Sequence, residues 1–177
     1  MRFDEQGTMN TTRYLVVPRT LCFISTESQL LLLRGAPDKR LWANLLNGLG
    51  GHLEPGEDPL SGARRELCEE AGLSVPNLAL RAVIHVSGQA DHPGVMLFVC
   101  CGTVRNPHLR PGSEGSLEWH PLDALPWKEM VEDLPHLLPR LWELQKNQLL
   151  YGVYTWDAAG NLARQWSVGP SRASALR

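Results

Sequence analysis

Three glutamates near the middle of the chain, Glu66, Glu69 and Glu70, have a side-chain type and a spacing that suit cation binding. On a helix, at about 100° per residue, they fall within roughly one quadrant. Carboxylates on one helix face repel each other, and a divalent cation removes that cost. Ligand sets made only of oxygen suit Mg²⁺ or Mn²⁺ rather than zinc. The alternative is a solvent-exposed acidic face, which is the ordinary position of helical glutamates.

The helix that must position these glutamates is predicted over residues 58–71. Asp58 suits the N-cap, Pro59 suits the first helical position, and Gly72 suits the position just past the end. Gly62 lies on the acidic side, where the missing side chain allows a close approach to the backbone. The quadrant next to the glutamates is apolar and is expected to pack against a core; its residues are Leu60, Ala63, Leu67 and Ala71.

A longer pattern surrounds the three glutamates. Gly51 is followed by five residues and Glu57, then by seven residues and the run Arg65-Glu66-Leu67-x-Glu69-Glu70-x-Gly72-Leu73. The seven letters other than the two leucines, at about 6–7% usage each, match by chance at fewer than about one in 10⁸ start positions. Segment 51–73 resembles the Nudix box, and the chain is similar to Nudix hydrolases.

The resemblance implies a metal site and a base. Glu66, Glu69 and Glu70 would be metal ligands together with the backbone carbonyl of Gly51. Glu114 would complete the site from a distant loop, because Glu-Gly-Ser-Leu-Glu-Trp at 114–119 is similar to a segment of MutT-like enzymes. One of Glu69, Glu70 and Glu114 would act as general base by accepting a proton from the attacking water, and the family pattern leaves the choice open.

Two further box residues are expected to be structural. In Nudix proteins the arginine equivalent to Arg65 pairs with the first glutamate of the box, which is Glu57 here, and orients the loop. Arg34 is a candidate phosphate contact, with a solvent-exposed arginine at a strand end as the alternative.

Base recognition is the part of the resemblance that departs from the family pattern. Asn-Gly-Leu-Gly-Gly at 47–51 resembles the approach to the box in MutT-like enzymes that hydrolyse oxidised purine nucleotides. The mammalian type reads the base with a tryptophan and two consecutive aspartates, and those positions are Val131, Asp133 and Leu134 here. One aspartate is kept and the stacking ring is absent. Asn47 and Asp133 are therefore the candidates for base recognition, with loop capping as their alternative role.

The implied substrate is a small nucleotide, favoured to be an oxidised purine triphosphate such as 8-oxo-dGTP. Hydrolysis would give the monophosphate and pyrophosphate with Mg²⁺ as cofactor, as in sanitation of the nucleotide pool that prevents DNA damage. Ordinary nucleoside triphosphates, nucleoside diphosphates and ADP-ribose are the alternatives. A nucleotide-sensing domain without catalysis is a third reading, disfavoured because the box carboxylates are complete and no basic recognition helix is evident.

Composition limits the other function classes. The chain has 177 residues, 43% of them hydrophobic, which is enough for one domain with a sizeable core. A net charge of −2 gives no electrostatic footprint for polymeric nucleic acid. No apolar run is long enough to span a membrane, and the start of the chain lacks the pattern of a signal peptide. The four cysteines form no C-x-x-C pair and are expected to be buried, reduced thiols, so a cytoplasmic setting is predicted.

Periodicity and turn residues predict an α/β fold, an α/β/α sandwich with a mixed sheet, which the Nudix resemblance also implies. The domain is expected over 13–168, with a flexible leader at 1–12 and a flexible tail at 169–177. Trp119, Trp127 and Trp142 are expected in the core. The predicted strands cover 13–18, 20–26, 29–34, 78–87, 94–104, 116–120, 149–157 and 162–168, and a second helix is predicted over 134–145.

Overall fold

The computed structural model describes residues 14–88, 92–105, 107–110, 114–157 and 159–171. A short 3₁₀ turn, Trp127–Glu129, precedes the second helix. In these ranges no helix is long and apolar enough to cross a membrane. The regular elements in chain order are β1 (Val16–Ser25), β2 (Gln29–Gly35), β3 (Leu46–Asn47), α1 (Pro59–Ala71), β4 (Ala79–Val86), β5 (Gly94–Thr103), β6 (Gly115–Pro121), α2 (Leu134–Glu143), β7 (Gln148–Trp156) and β8 (Leu162–Pro170).

The strands form one mixed sheet in the order β3-β2-β1-β5-β4-β7-β8. Strands β1 and β3 pair with different parts of one edge of β2, and β6 pairs with the opposite edge of β2 along its whole length. The pairs β1–β5 and β4–β7 are parallel, and the remaining pairs are antiparallel. Parallel pairing requires a long connection between neighbouring strands, and α1 and α2 lie within those connections. The predicted mixed sheet is confirmed.

Two apolar cores lie on opposite faces of the sheet. Along β1, Leu21 and Phe23 belong to one core while Cys22 and Ile24 belong to the other, as alternation along a strand requires. The first core is completed by α2, through Leu134, Leu137, Leu138 and Leu141. The second is completed by α1, through Ala63, Leu67 and Ala71. One helix therefore covers each face, and the predicted α/β/α sandwich is confirmed.

Helix α1 begins and ends where the sequence predicts. The Asp58 carboxylate accepts hydrogen bonds from the backbone N–H groups of Leu60 and Ser61 at 2.8 and 3.1 Å. Gly72 has φ of 66°, the left-handed conformation of a helix C-cap. A side chain at Gly62 would clash with Leu53, so the group that makes the predicted close approach to the backbone is a side chain of the loop before the helix.

The two segments predicted at 13–18 and 20–26 form the single strand β1. Along β1 the N–H groups of Thr20 and Cys22 point toward the loop that precedes α1, away from β5. Pro18 occupies the same alternate position, so its missing N–H interrupts no hydrogen bond between β1 and β5. The strand therefore continues through the proline.

The ends of the domain differ slightly from the prediction. Gly169 and Pro170, assigned to the tail from sequence, lie in β8 because they pair with Leu149 and Gln148 of β7. The predicted leader at 1–12 and residues 172–177 of the predicted tail lie outside the described residues.

Two aromatic residues and one cysteine are more exposed than expected. Trp127 and Trp142 are 37% and 49% exposed and cover each other edge to face with ring centroids 6.2 Å apart. Trp119 is half-buried against the core of α1. Cys22 and Cys100 are buried, whereas Cys68 is exposed on the outer face of α1.

Replacing Leu67 with alanine tests the packing of α1 on the sheet. The side chain is fully buried, so Leu67→Ala is expected to lower the free energy of unfolding by about 3 kcal/mol, through lost burial and the cavity left behind. Cys68→Ala, an exposed site on the same helix, should leave it nearly unchanged. Urea unfolding followed by circular dichroism measures both, and equal effects would contradict this packing.

Candidate active site

Strands β1 and β2 diverge, and the chain segment 46–53 fills the space between them. The two strands pair only at Ile24–Leu31 and Ser25–Leu30. Beyond that point β3 continues along the edge of β2, and single bridges join Leu49 to Cys22 and His52 to Arg19 on β1. This arrangement carries the backbone at Gly50 and Gly51 to the side of α1 that bears the glutamates.

Gly51 lies directly against Glu66. A Cβ atom at Gly51 would lie 2.5 Å from Glu66 Oε1, so only glycine lets this carboxylate approach the backbone. The Gly51 carbonyl, a predicted metal ligand, accepts a hydrogen bond from the Thr20 N–H at 2.8 Å. A carbonyl oxygen has two lone pairs, so one acceptor position remains.

Arg65 joins the box loop to the acidic face of α1. Its guanidinium donates to both carboxylate oxygens of Glu57 at 2.8 and 3.1 Å, and to the carbonyl of His52 at 3.0 Å. It also donates to Glu66 at 2.9 Å and to Glu69 at 3.0 Å. The bidentate pair with Arg65 lowers the pKa of Glu57. The geometry matches the predicted pairing of Arg65 with Glu57.

Glu70 is the buried carboxylate of the cluster. It is 6% exposed, and its Oε2 accepts the Gly50 N–H at 2.8 Å. Burial raises its pKa to about 7, and the negative charges of Glu114 and Glu66 act in the same direction. The Gly50 N–H and the positive charge of Lys39 act against this shift.

Glu114 reaches the same region from the start of β6. Its carboxylate is paired with the Lys39 ammonium at 2.6 Å, and its backbone carbonyl accepts the Ala36 N–H at 3.3 Å. Lys39 was not predicted from the sequence. The loop between β2 and β3 contains two basic residues, Lys39 and Arg40, and nothing in their spacing separates a site residue from a surface residue.

A divalent cation fits the chemistry of these side chains. All of the donors are oxygens, and the like charges around Glu70 are those that a cation neutralises. In the part of the chain that the structure describes, no three acidic, histidine or cysteine side chains converge closely enough to hold an ion. Arg65 and Lys39 instead pair with Glu66, Glu69 and Glu114. These two side chains therefore balance the negative charge that would otherwise attract a metal ion.

A cavity of about 420 Å³ extends from Glu70 and Glu114 across the sheet to β7 and β8. That volume lies in the range of small-ligand sites. Its apolar wall is drawn mainly from the core on the α2 face, while Glu70 comes from α1 on the opposite face. Its lining includes Thr20, Leu21, Lys39, Leu41, Trp42, Asn47, Gly50, Glu70, Val86, Val95, Leu97, Glu114, Val131, Asp133, Tyr154, Trp156 and Leu162.

Asp133 lies in the part of the cavity formed by β7 and β8. Burial raises its pKa to about 6, and the positive charge of Arg164 acts against this shift. The carboxyl group is therefore mainly ionised at pH 7 and mainly protonated at pH 5. Val131 also lines the cavity, whereas Leu134 is buried in the core of α2.

All of the predicted site residues except Arg34 fall into two groups. Asn47, Glu70, Glu114 and Asp133 line one cavity. Gly51, Glu66 and Glu69, with the structural residues Glu57 and Arg65, lie beside it on the box loop and α1.

Arg34 is placed differently. Its guanidinium donates to Glu118 at 2.6 and 3.0 Å, to Glu129 at 2.8 Å and to the carbonyl of Asn44 at 3.0 Å. Arg34 is also absent from the cavity lining. The predicted phosphate contact thus has no support in this geometry, because protein groups already engage the guanidinium.

The sequence of residues 16–141 matches the model of the NUDIX domain. The chain belongs to the Nudix family. It is 30% identical over 129 residues to an oxidized purine nucleoside triphosphate hydrolase of Mus musculus, covering 72% of this chain and 80% of the relative. The protein of the same name from Danio rerio is 29% identical over 137 residues, with 74% and 81% covered.

Solved structures share the fold of this Nudix protein. A MutT protein from Bacillus halodurans superposes with a TM-score of 0.71 at 23% identity, covering 85% of this chain and 97% of the other. The Nudix domain of NrtR from Shewanella oneidensis, solved with ADP-ribose, superposes with a TM-score of 0.66 at 13% identity, covering 81% and 98%. The family match and the relatives confirm the predicted resemblance, and the chain is a Nudix hydrolase of the nucleotide pyrophosphohydrolase class.

The raised pKa of Glu70 predicts a pH dependence of stability in metal-free protein. Folding raises this pKa from its ordinary 4.5 to about 7, so the contribution of Glu70 is fully present below pH 4.5 and is lost as pH rises through 7. Glu70→Gln, which keeps an acceptor for the Gly50 N–H, should melt at the same temperature as wild type at pH 4. At pH 8 it should melt higher.

Thermal unfolding in EDTA across this pH range measures the difference between the two proteins. Glu27→Gln, in the exposed turn between β1 and β2, serves as the control and should show a constant difference from wild type. A difference for Glu70→Gln that does not grow with pH would contradict the assigned pKa.

Proposed function

We propose that this Nudix hydrolase cleaves nucleoside triphosphates to the monophosphate and pyrophosphate, with oxidised purine deoxynucleotides such as 8-oxo-dGTP as the preferred substrates. One observation carries the proposal: a single cavity has carboxylates and a lysine at one end and Asp133 with aromatic side chains at the other. With a divalent cation bound at the carboxylates, such a cavity suits a ligand that is anionic at one end and flat and polar at the other. Its role would be sanitation of the nucleotide pool.

The separation of the two ends suits a nucleotide. Thr20 on β1 lies next to the box, whereas Tyr154 lies on β7, three strands away in the order β1-β5-β4-β7. Neighbouring strands are about 4.8 Å apart, so this interval is about 14 Å. The distance leaves room for a phosphate chain over α1 and a base over β7.

Two tryptophans provide flat apolar surface that Val131 lacks. Trp42 and Trp156 line the cavity and remain 45% and 44% exposed. Exposed indoles beside a cavity are available to stack on a base, and this would compensate for the absence of a ring at position 131. The stacking role of both residues is part of the proposal.

The end of the cavity at Glu70 and Glu114, where the phosphates would bind, supplies charged side chains and a general base. Mg²⁺ is the proposed cofactor, with Mn²⁺ as a substitute, and when bound it would neutralise charge on the phosphate oxygens. Glu66, Glu69, Glu70, Glu114 and the Gly51 carbonyl are the proposed ligands. Lys39 is able to leave Glu114 and contact phosphate, since both side chains are partly exposed. Glu69, Glu70 and Glu114 are the candidates for accepting a proton from the attacking water.

A second candidate function is hydrolysis of ordinary nucleoside triphosphates. The observation that favours it is the presence of Val131 in the cavity wall and of Leu134 in the core, where the oxidised-purine enzymes carry recognition residues. Pyrophosphate release with Mg²⁺ across a panel of oxidised and ordinary triphosphates, nucleoside diphosphates and ADP-ribose separates the two. Preference for 8-oxo-dGTP supports the first function. Preference for an ordinary triphosphate supports the second, and preference for a nucleoside diphosphate or ADP-ribose would contradict both.

Replacing box carboxylates tests the metal site. Glu69→Gln and Glu70→Gln are each expected to lower turnover of the preferred triphosphate by roughly 10²-fold or more, because each removes a charged ligand or base. Folding should be preserved, and circular dichroism at pH 5, compared with wild type, checks this. Glu143→Gln, at the exposed end of α2, is the matched control. Undiminished turnover in both box variants would overturn the assignment.

Replacing Asp133 tests base recognition separately. Asp133→Ala is expected to change the ratio of kcat/KM between purine triphosphates by roughly 10-fold, because it removes a half-buried hydrogen-bonding group that lines the cavity near Tyr154. Dependence of the rate on Mg²⁺ concentration should stay as in wild type. An unchanged ratio between oxidised and ordinary purine substrates would remove Asp133 from the recognition set.

A further inference from the structure

The Arg34 side chain joins three chain segments that lie far apart in the sequence. Its guanidinium donates to the two carboxylate oxygens of Glu118 on β6, at 2.6 and 3.0 Å. It also donates to Glu129 in the 3₁₀ turn at 2.8 Å, and to the carbonyl of Asn44, in the loop between β2 and β3, at 3.0 Å. The planar fork of a guanidinium holds all of these acceptors in one fixed arrangement.

Each of the three segments also contributes to the wall of the cavity. The cavity residues that the loop, the start of β6 and the chain after the turn contribute are Lys39, Leu41, Trp42, Glu114, Val131 and Asp133. Arg34 itself does not line the cavity. Its influence on a bound ligand is therefore exerted through the segments that it joins.

The loop between β2 and β3, residues 36–45, has a strained backbone next to this guanidinium. Trp42 and Asn44 have φ of 58° and 60°, a left-handed conformation that is unfavourable for residues other than glycine. Such conformations persist where surrounding contacts hold them. The Asn44 N–H donates to the Gly35 carbonyl at 3.0 Å, and the Asn44 carbonyl accepts the bond from Arg34. Arg34 therefore helps to hold the conformation that places Trp42 in the cavity wall.

The 3₁₀ turn is held to the same region from the other side. Met130 forms a bridge with Leu46 of β3, and the Val131 N–H donates to the Leu46 carbonyl at 3.0 Å. Glu129, which directly precedes them, binds the same guanidinium nitrogen as one oxygen of Glu118. Two carboxylates that share one nitrogen lie close together and would repel each other without the positive charge between them.

We propose that Arg34 is a positioning residue that fixes loop 36–45 relative to turn 127–129, and so sets the shape of the cavity in which a nucleotide binds. The loop contributes Lys39 and Trp42 to this shape, and the chain after the turn contributes Val131 and Asp133. This inference rests on the proposed function in taking the cavity as the binding site of a nucleotide.

Replacing Arg34 with lysine tests this role while keeping the positive charge. A single ammonium cannot hold Glu118, Glu129 and the Asn44 carbonyl in the arrangement of the guanidinium. For Arg34→Lys, KM for the preferred nucleoside triphosphate is expected to rise roughly 10-fold while kcat changes less than about threefold, because looser walls weaken binding and leave the box carboxylates in place. Arg105→Lys, the same change at an exposed arginine after β5, should keep the wild-type KM.

A double-mutant cycle tests whether the turn is one of the segments that Arg34 positions. Glu129→Gln removes the charged partner of Arg34 in the turn and should also raise KM. Because both changes break the same contact, the double variant should show a smaller rise than the product of the two single effects. Independent effects that multiply fully would overturn the role of this contact.

Hydrogen exchange measured by mass spectrometry without ligand separates local positioning from general stability. In Arg34→Lys, peptides covering 36–45 and 127–131 are expected to exchange roughly 10-fold faster, while peptides of β5 keep wild-type exchange. Unchanged exchange in both segments would overturn the assignment. Equally faster exchange in β5 would also overturn it, because Arg34 would then only stabilise the domain as a whole.

The exchange measurement keeps this inference separate from the proposed function. If wild type hydrolyses no nucleoside triphosphate, the proposed function fails, and faster exchange confined to the two segments still supports Arg34 as the residue that positions them. If wild type is active and KM is unchanged in Arg34→Lys, the inference fails and the proposed function stands.

Discussion

The divergence of β1 and β2 is the constraint on which the site depends. A continuous sheet would separate the glutamates of α1 from a cavity on the opposite face. Because the two strands pair at only one end, segment 46–53 enters between them and brings Gly50 and Gly51 to α1. Glu70 reaches the cavity at this gap, held by the Gly50 N–H. The glycine-rich approach to the box thus connects the two layers of the sandwich.

Internal cations balance the charge that this arrangement concentrates. Arg65 pairs with three carboxylates and also holds the carbonyl of His52, which fixes the box loop on the helix. Lys39 pairs with Glu114 on the other side of the cluster. The two side chains are held to different degrees, because Arg65 makes five hydrogen bonds in a fixed geometry, whereas Lys39 is a single flexible ammonium. Arg65 therefore holds the box loop in place, and in the proposed function Lys39 exchanges its partner for substrate.

The opposite end of the cavity is built by cross-strand packing in the hairpin of β7 and β8. Gly152 admits Trp166, Trp166 packs on Tyr154, and Arg164 lies beside the Tyr154 ring. These contacts build the cavity wall beside Asp133. This part of the cavity wall therefore comes from a hairpin that lies outside the matched family domain of residues 16–141.

The sequence by itself determined the family, the sandwich fold, the ends of α1 and the pairing of Arg65 with Glu57, because each follows from local spacing or from one dense motif. The tertiary structure alone decided which distant residues share a cavity. Lys39, Trp42, Tyr154 and Trp156 come from separate loops and strands, and no local pattern distinguishes them from ordinary surface or core residues. It also decided the environment of Arg34, whose partners Glu118 and Glu129 lie 84 and 95 residues away along the chain. Contacts over such separations depend on strand order and register, which local sequence does not encode.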